Sequence, residues 1–132
     1  MSLNKTKILV VEDDLFMQAI LKEYLSNQYD VEMCSNGMAA FGLIQHGNIP
    51  DLIIADLNTP ELNGLGLTEQ LKASDFFSSI PIIILSAEES SVKRIECLNS
   101  GADDFIVKPF NPSELQARIN VILRRMANLN KI

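Results

Sequence analysis

Six side chains scattered along this sequence have the types needed for one piece of chemistry: Glu12, Asp13 and Asp14 in a single run, then Asp56, Ser86 and Lys108. Carboxylates that share a pocket repel one another, so a set of this kind is best explained by a hard cation bound through oxygen ligands. Mg2+ suits such a site because it keeps several waters and needs only one or two carboxylates beside a phosphate oxygen. A carboxylate that attacks phosphorus must approach an anion. A cation and a lysine then neutralise the charge building on the equatorial oxygens. On this reading Asp13 and Asp56 hold the metal while Ser86 and Lys108 hold the transferred group.

Taken singly, each residue has an ordinary explanation. Asp13 or Asp14 can cap a helix. Asp56 can be a loop carboxylate, Ser86 a satisfied strand-end hydroxyl, and Lys108 a solvated charge beside a turn proline. The elements that carry them make the conjunction hard to dismiss. Apolar runs suited to buried strands occur at Ile8 to Val11, Leu52 to Ala55 and Ile82 to Leu85, with less continuous candidates at Tyr29 to Cys34 and Asp104 to Val107. Helical periodicity fills the gaps. Met17, Ile20, Leu21, Tyr24 and Leu25 share one face, as do Leu115, Ile119, Ile122, Leu123 and Met126. Weaker helices are marked by Ala40, Leu43 and Ile44, by Leu67 and Leu71, and by Val92, Ile95 and Leu98.

Gly47 and Gly101 fit helix stops, and Asn111-Pro112-Ser113-Glu114 reads as an N-cap followed by proline at the first helical position. Alternating strands and helices with continuous apolar strands predict a parallel sheet covered on both faces, a three-layer α/β sandwich. In such sheets ligands bind outside the carboxyl ends of the strands. Those ends are followed by Glu12-Asp13-Asp14, Asp56, Ser86 and Lys108-Pro109, so the residues converge on one edge.

Size and composition narrow the function. The 132 residues, 47% hydrophobic, suffice for one core without staples and predict a single domain over 1–132 with a folded core at about 5–128. Seventeen acidic against eleven basic residues give a formal charge of -6, which opposes contact with a nucleic-acid backbone. Cys34 and Cys97 lack metal or redox spacing and are expected as free, buried thiols. No apolar run is as long as a membrane span, and the Met1-Ser2-Leu3-Asn4-Lys5 start lacks a signal peptide's apolar stretch, so a cytoplasmic location is expected.

Ile8 to Asp14, Ala55-Asp56-Leu57-Asn58-Thr59-Pro60 with Asn63-Gly64, Leu85-Ser86-Ala87, Gly101 to Phe105 and Val107-Lys108-Pro109-Phe110 together resemble the response-regulator receiver domains of two-component signalling. The likeness spans almost the whole chain. It implies a flavodoxin-like sheet of strand order 2-1-3-4-5 with five helices. It implies that Asp56 is the phosphoacceptor, supplied by a sensor histidine kinase, a phosphotransfer protein or a small phosphodonor. Glu12 and Asp13 resemble the family's acidic pair, with Asp13 a direct ligand of Mg2+, or of Mn2+ in its place, and Glu12 acting mostly through water. Asp56 and the Asn58 main-chain carbonyl complete the implied metal set. Ser86, with Ala87 beside it, and Lys108 would bind the phosphoryl oxygens, across a cis Lys108-Pro109 bond.

Phe105 stands at the family's aromatic switch position and would turn inward as Ser86 shifts. The output is then expected on the face of helix 4, strand 5 and helix 5, as a partner or homodimer surface, with Lys93, Arg94, Glu96, Asp103, Asp104 and Arg118 available for pairing. Asn58 and Glu88 match positions that tune the lifetime of the aspartyl phosphate and imply a short one. Thr59 replaces a common Met on the rim of the site, and Asp14 is expected to cap the first helix. The fifth-helix ending, Arg118 and Leu123-Arg124-Arg125, resembles that of receivers joined to DNA-binding domains, and the chain is expected to be one cut from a larger regulator.

Other classes fit less well. A flavin carrier of the same topology needs a hydroxyl- and amide-rich phosphate loop where Glu12-Asp13-Asp14 stands, and neither Gly-rich nucleotide fingerprint is present. A phosphohydrolase of the haloacid-dehalogenase type places a second Asp where Asn58 stands. His46, in a Gln-His-Gly stretch far from every motif, reads as a surface residue. A degenerate receiver acting as a phosphorylation-independent interaction module remains the alternative.

Overall fold

Strand and helix alternate throughout residues 5–129, the part of the chain that the computed structural model describes. The Met1 to Asn4 start and the Asn130 to Ile132 end lie outside the described residues. The elements are β1 (Lys7–Val11), α1 (Leu15–Leu25), β2 (Asp30–Cys34), α2 (Gly37–Gln45), β3 (Leu52–Asp56), α3 (Gly64–Lys72), β4 (Ile82–Ser86), α4 (Ser91–Asn99), β5 (Asp104–Val107) and α5 (Pro112–Leu129). All five strands pair in parallel in the order β2-β1-β3-β4-β5, as the resemblance implies. Parallel strands are joined by helical crossovers, which cover both faces and select apolar residues at every central position. β3 and β4 are accordingly buried along their whole length.

The pleat sorts each strand between two cores. Leu9, Val11, Ile53, Ala55, Ile82 and Ile84 meet Ala40 and Ile44 of α2, Leu67 and Leu71 of α3, and Cys97 of α4. Ile8, Val10, Ile54, Ile83 and Leu85 meet Leu21 and Leu25 of α1 and Leu115, Ile119 and Ile122 of α5. Helices α2, α3 and α4 thus form one outer layer, and α1 and α5 the other.

Caps fall where the sequence places them. The Asp14 carboxylate accepts from the Phe16 amide at the start of α1, and the Asn111 side chain accepts from the Ser113 amide at the start of α5. Gly47 and Gly101 take the positive φ values, +97° and +114°, that end α2 and α4. Two apolar assignments differ from the pattern. Ile20 of α1 is exposed, and the α4 row of Val92, Ile95 and Leu98 faces outward while only Cys97 turns into the core. Both cysteines are free and buried, and burial pushes both thiol pKa values up. Among the described residues no helix is long and apolar enough to cross a membrane.

Candidate functional site

The carboxyl ends of β1, β3, β4 and β5 bring the singled-out residues to one edge. Asp56 and Ser86 are the last residues of β3 and β4, held in register opposite Leu85 and Val107. Main-chain bonds carry the ladder one step past the strands. Leu57 donates to the Leu85 carbonyl at 2.8 Å, and Lys108 donates to the Ser86 carbonyl at 2.7 Å. Glu12 follows β1 directly, with its amide on the Cys34 carbonyl.

Glu12, Asp13 and Asp56 each present a carboxylate oxygen within 4.8 Å of the others. Glu12 and Asp56 are buried and Asp13 is exposed. Lys108 bridges the two buried acids, with Nζ 3.0 Å from Glu12 Oε1 and 3.2 Å from Asp56 Oδ1. Partial burial pushes the Lys108 pKa down. The hydrogen bond to Glu12 and the charges of Asp56 and Glu12 outweigh it and raise that pKa above the ordinary lysine value. Glu12 Oε2 accepts from the Asp14 amide at 3.0 Å, so both Glu12 oxygens already have protein partners. That leaves Asp13 and Asp56 with the freer oxygens of the three. An all-oxygen, all-carboxylate set matches a hard divalent cation better than a soft one.

The remaining site residues differ in exposure. Ser86 is fully buried, and its Oγ accepts from the Glu88 amide at 3.0 Å, inside its own loop. Ala87 and Glu88 are exposed beside it, and Asn58 Nδ2 donates to Glu88 Oε2 at 3.4 Å. The two lifetime-tuning candidates therefore touch each other. Lys108-Pro109 is a cis peptide. Phe105 is 7% exposed and packs in the core beneath α4, so the ring already points inward. His46 is exposed at the end of α2, far from these groups in sequence, with Nδ1 at 2.8 Å from the Gly42 carbonyl.

Thr59 is buried instead of lying on the rim. Its hydroxyl donates to the Leu62 carbonyl at 3.0 Å. Sequence reasoning gave it no such partner, because Leu62 adopts a φ of 136° that no glycine or asparagine signals.

Residues 8–120 match the response regulator receiver domain family. The chain belongs to the response-regulator receiver family. As a receiver it takes its place in two-component signalling. It is 42% identical over 129 residues to the probable transcriptional regulator ycf27 of Cyanophora paradoxa, covering 97% of this chain and 52% of that protein. It is 40% identical over 120 residues to the response regulator MprA of Mycobacterium sp. (strain KMS), covering 90% and 51%. The receiver thus spans about half the length of these relatives. Among solved structures, the signal receiver domain of a signal transduction histidine kinase from Syntrophus aciditrophicus superposes with a TM-score of 0.83 at 33% identity, covering 90% of each chain.

Proposed function

We propose that this receiver is a phosphorylation switch in which Asp56 accepts a phosphoryl group with Mg2+ bound beside it. The observation that carries the proposal is the close grouping of Glu12, Asp13 and Asp56 with Lys108 between the two buried acids. Asp13, Asp56 and the Asn58 carbonyl are the metal ligands, with Glu12 acting through water. Mn2+ can replace Mg2+ on this donor set. The cation supplies charge neutralisation for the incoming phosphoryl oxygens. An Asp56 oxygen attacks phosphorus, the bond to the donor nitrogen or oxygen breaks, and the donor leaves with that bond's electron pair. Lys108 then pairs with one phosphoryl oxygen. Ser86 and the Ala87 main chain bind another.

The donor is a sensor histidine kinase or a phosphotransfer protein, and the receiver turns over only its own aspartyl phosphate. Ser86 supplies the differential contact that a two-state switch requires, because its new partner exists only after phosphorylation. Leaving the Glu88 amide, Ser86 would loosen the loop before α4 and repack Phe105 beneath it. The output is a homodimer or partner contact on α4, β5 and α5. That face carries the exposed Val92, Ile95 and Leu98. Some of its charges pair within the chain, Lys93 with Glu96 at 3.2 Å and Arg118 with Asp104 at 3.2 Å, ready to exchange partners across a two-fold axis.

Fluorine NMR of the receiver with beryllofluoride and Mg2+ tests the site. Bound fluorine signals that require both Mg2+ and Asp56 are expected. Signals that persist in Asp56→Asn, or that never form, would contradict the proposal.

A further inference from the structure

The loop from Leu57 to Asn63, which joins Asp56 to α3, holds two non-glycine residues at positive φ, Glu61 at 59° and Leu62 at 136°. Backbone in such regions persists only where its surroundings over-determine it. Here one atom gathers the restraints. The Leu62 carbonyl accepts both the Thr59 hydroxyl at 3.0 Å and the Gly37 amide at 3.1 Å. A Cβ at Gly37 would collide with that same oxygen, so the start of α2 is shaped to receive it. At the far end the Gly64 amide returns to the Leu57 carbonyl at 3.0 Å, and a Cβ on Gly64 would lie 2.8 Å from the Asp56 carbonyl oxygen. The loop is folded back onto the strand end that carries the acceptor.

We propose that Thr59 is a positioning residue: its buried hydroxyl clips the Leu62 carbonyl and so fixes the Asn58–Thr59 peptide at the cation site. The inference rests on the reading of Asn58 as a metal ligand through its main chain. The Asn58 carbonyl belongs to the peptide plane shared with Thr59, so its direction is set by Asn58 ψ and Thr59 φ. Thr59 is 5% exposed with its hydroxyl spent inside the loop, which holds that φ, and Asn58 itself is exposed, its side chain making one long bond among the described residues, to Glu88. Without the clip, the loop would relax toward ordinary dihedrals at Leu62 and carry the Asn58 carbonyl with it. Partners one step behind a ligand commonly govern metal affinity in this way.

The test compares parent, Thr59→Val and Thr59→Ser by Mg2+ calorimetry and by amide hydrogen exchange in the metal-free protein. Thr59→Val keeps the shape and removes the donor, and Thr59→Ser restores the donor. Thr59→Val should weaken Mg2+ about tenfold. It should also speed exchange at Gly37 without doing so in the sheet, and Thr59→Ser should return both readouts toward the parent. Mg2+ binding by Thr59→Val within about twofold of the parent, or unchanged Gly37 exchange, would overturn the clip while leaving the switch intact. A parent that bound no Mg2+ would overturn both.

Discussion

Lys108 is where the electrostatics of the site balance, because among the described residues it is the cation that pairs with both buried acids, Glu12 and Asp56. Removing one partner of a buried pair leaves the other's charge uncompensated, so Lys108→Met should lose about 3 kcal/mol in urea unfolding at neutral pH. The raised folded-state pKa of Lys108 sets the alkaline behaviour. Stability from this ion pair is fully present below the unfolded lysine value of about 10.4 and is lost as pH rises through the higher folded value. The gap between parent and Lys108→Met should therefore hold from pH 7 to about 10 and narrow above it. A gap that already closed near pH 8 would show that Lys108 is not held protonated by these acids. At this scale Glu12, Asp13, Asp56, Ser86 and Lys108 were legible because each follows or ends an apolar strand run. Thr59 was not, since its partner is a carbonyl aimed by a positive φ at Leu62, which side-chain type does not encode.

Among the elements, α4 is the most telling. Its period of apolar residues predicts a helix, and a helix forms, but the row at Val92, Ile95 and Leu98 faces outward while Cys97 fills the core. Periodicity reports that a helix has an apolar face and is silent on whether the sheet or a partner covers it. If that face is the output surface, Ile95→Asp should abolish any dimer that forms on beryllofluoride treatment and leave Mg2+ affinity unchanged. Sedimentation velocity checks this, and an undiminished dimer would move the output elsewhere. The end of α4 offers a separate test of local structure. Gly101 sits at φ +114° with the Lys72 stem 2.7 Å from where a Cβ would stand. Lys72 also holds the Ser78 and Ile80 carbonyls at 2.9 and 3.0 Å. Gly101→Ala should cost more than about 1 kcal/mol of unfolding free energy, because the backbone strain and the displaced lysine add.

For the whole molecule, the strand and helix order was readable because five apolar runs alternate with helical periods, and right-handed crossovers then leave few arrangements. The order β2-β1-β3-β4-β5 came from the family resemblance, since nothing in five similar apolar runs says which strand lies at the edge. One edge of that sheet gathers the acidic cluster, so a cation bound there should stabilise the entire fold by mass action. At tenfold over its Kd, Mg2+ should add about 1.4 kcal/mol, and Asp13→Asn should flatten the rise in thermal midpoint. The most direct test of the central claim is intact mass after incubation with acetyl phosphate, comparing the parent with Asp56→Asn, each with and without Mg2+. A single phosphoryl adduct that forms only in the parent and only with Mg2+ is the expected result. Adduct formation on Asp56→Asn, or none on the parent, would contradict the switch and favour a receiver that works as an interaction module alone.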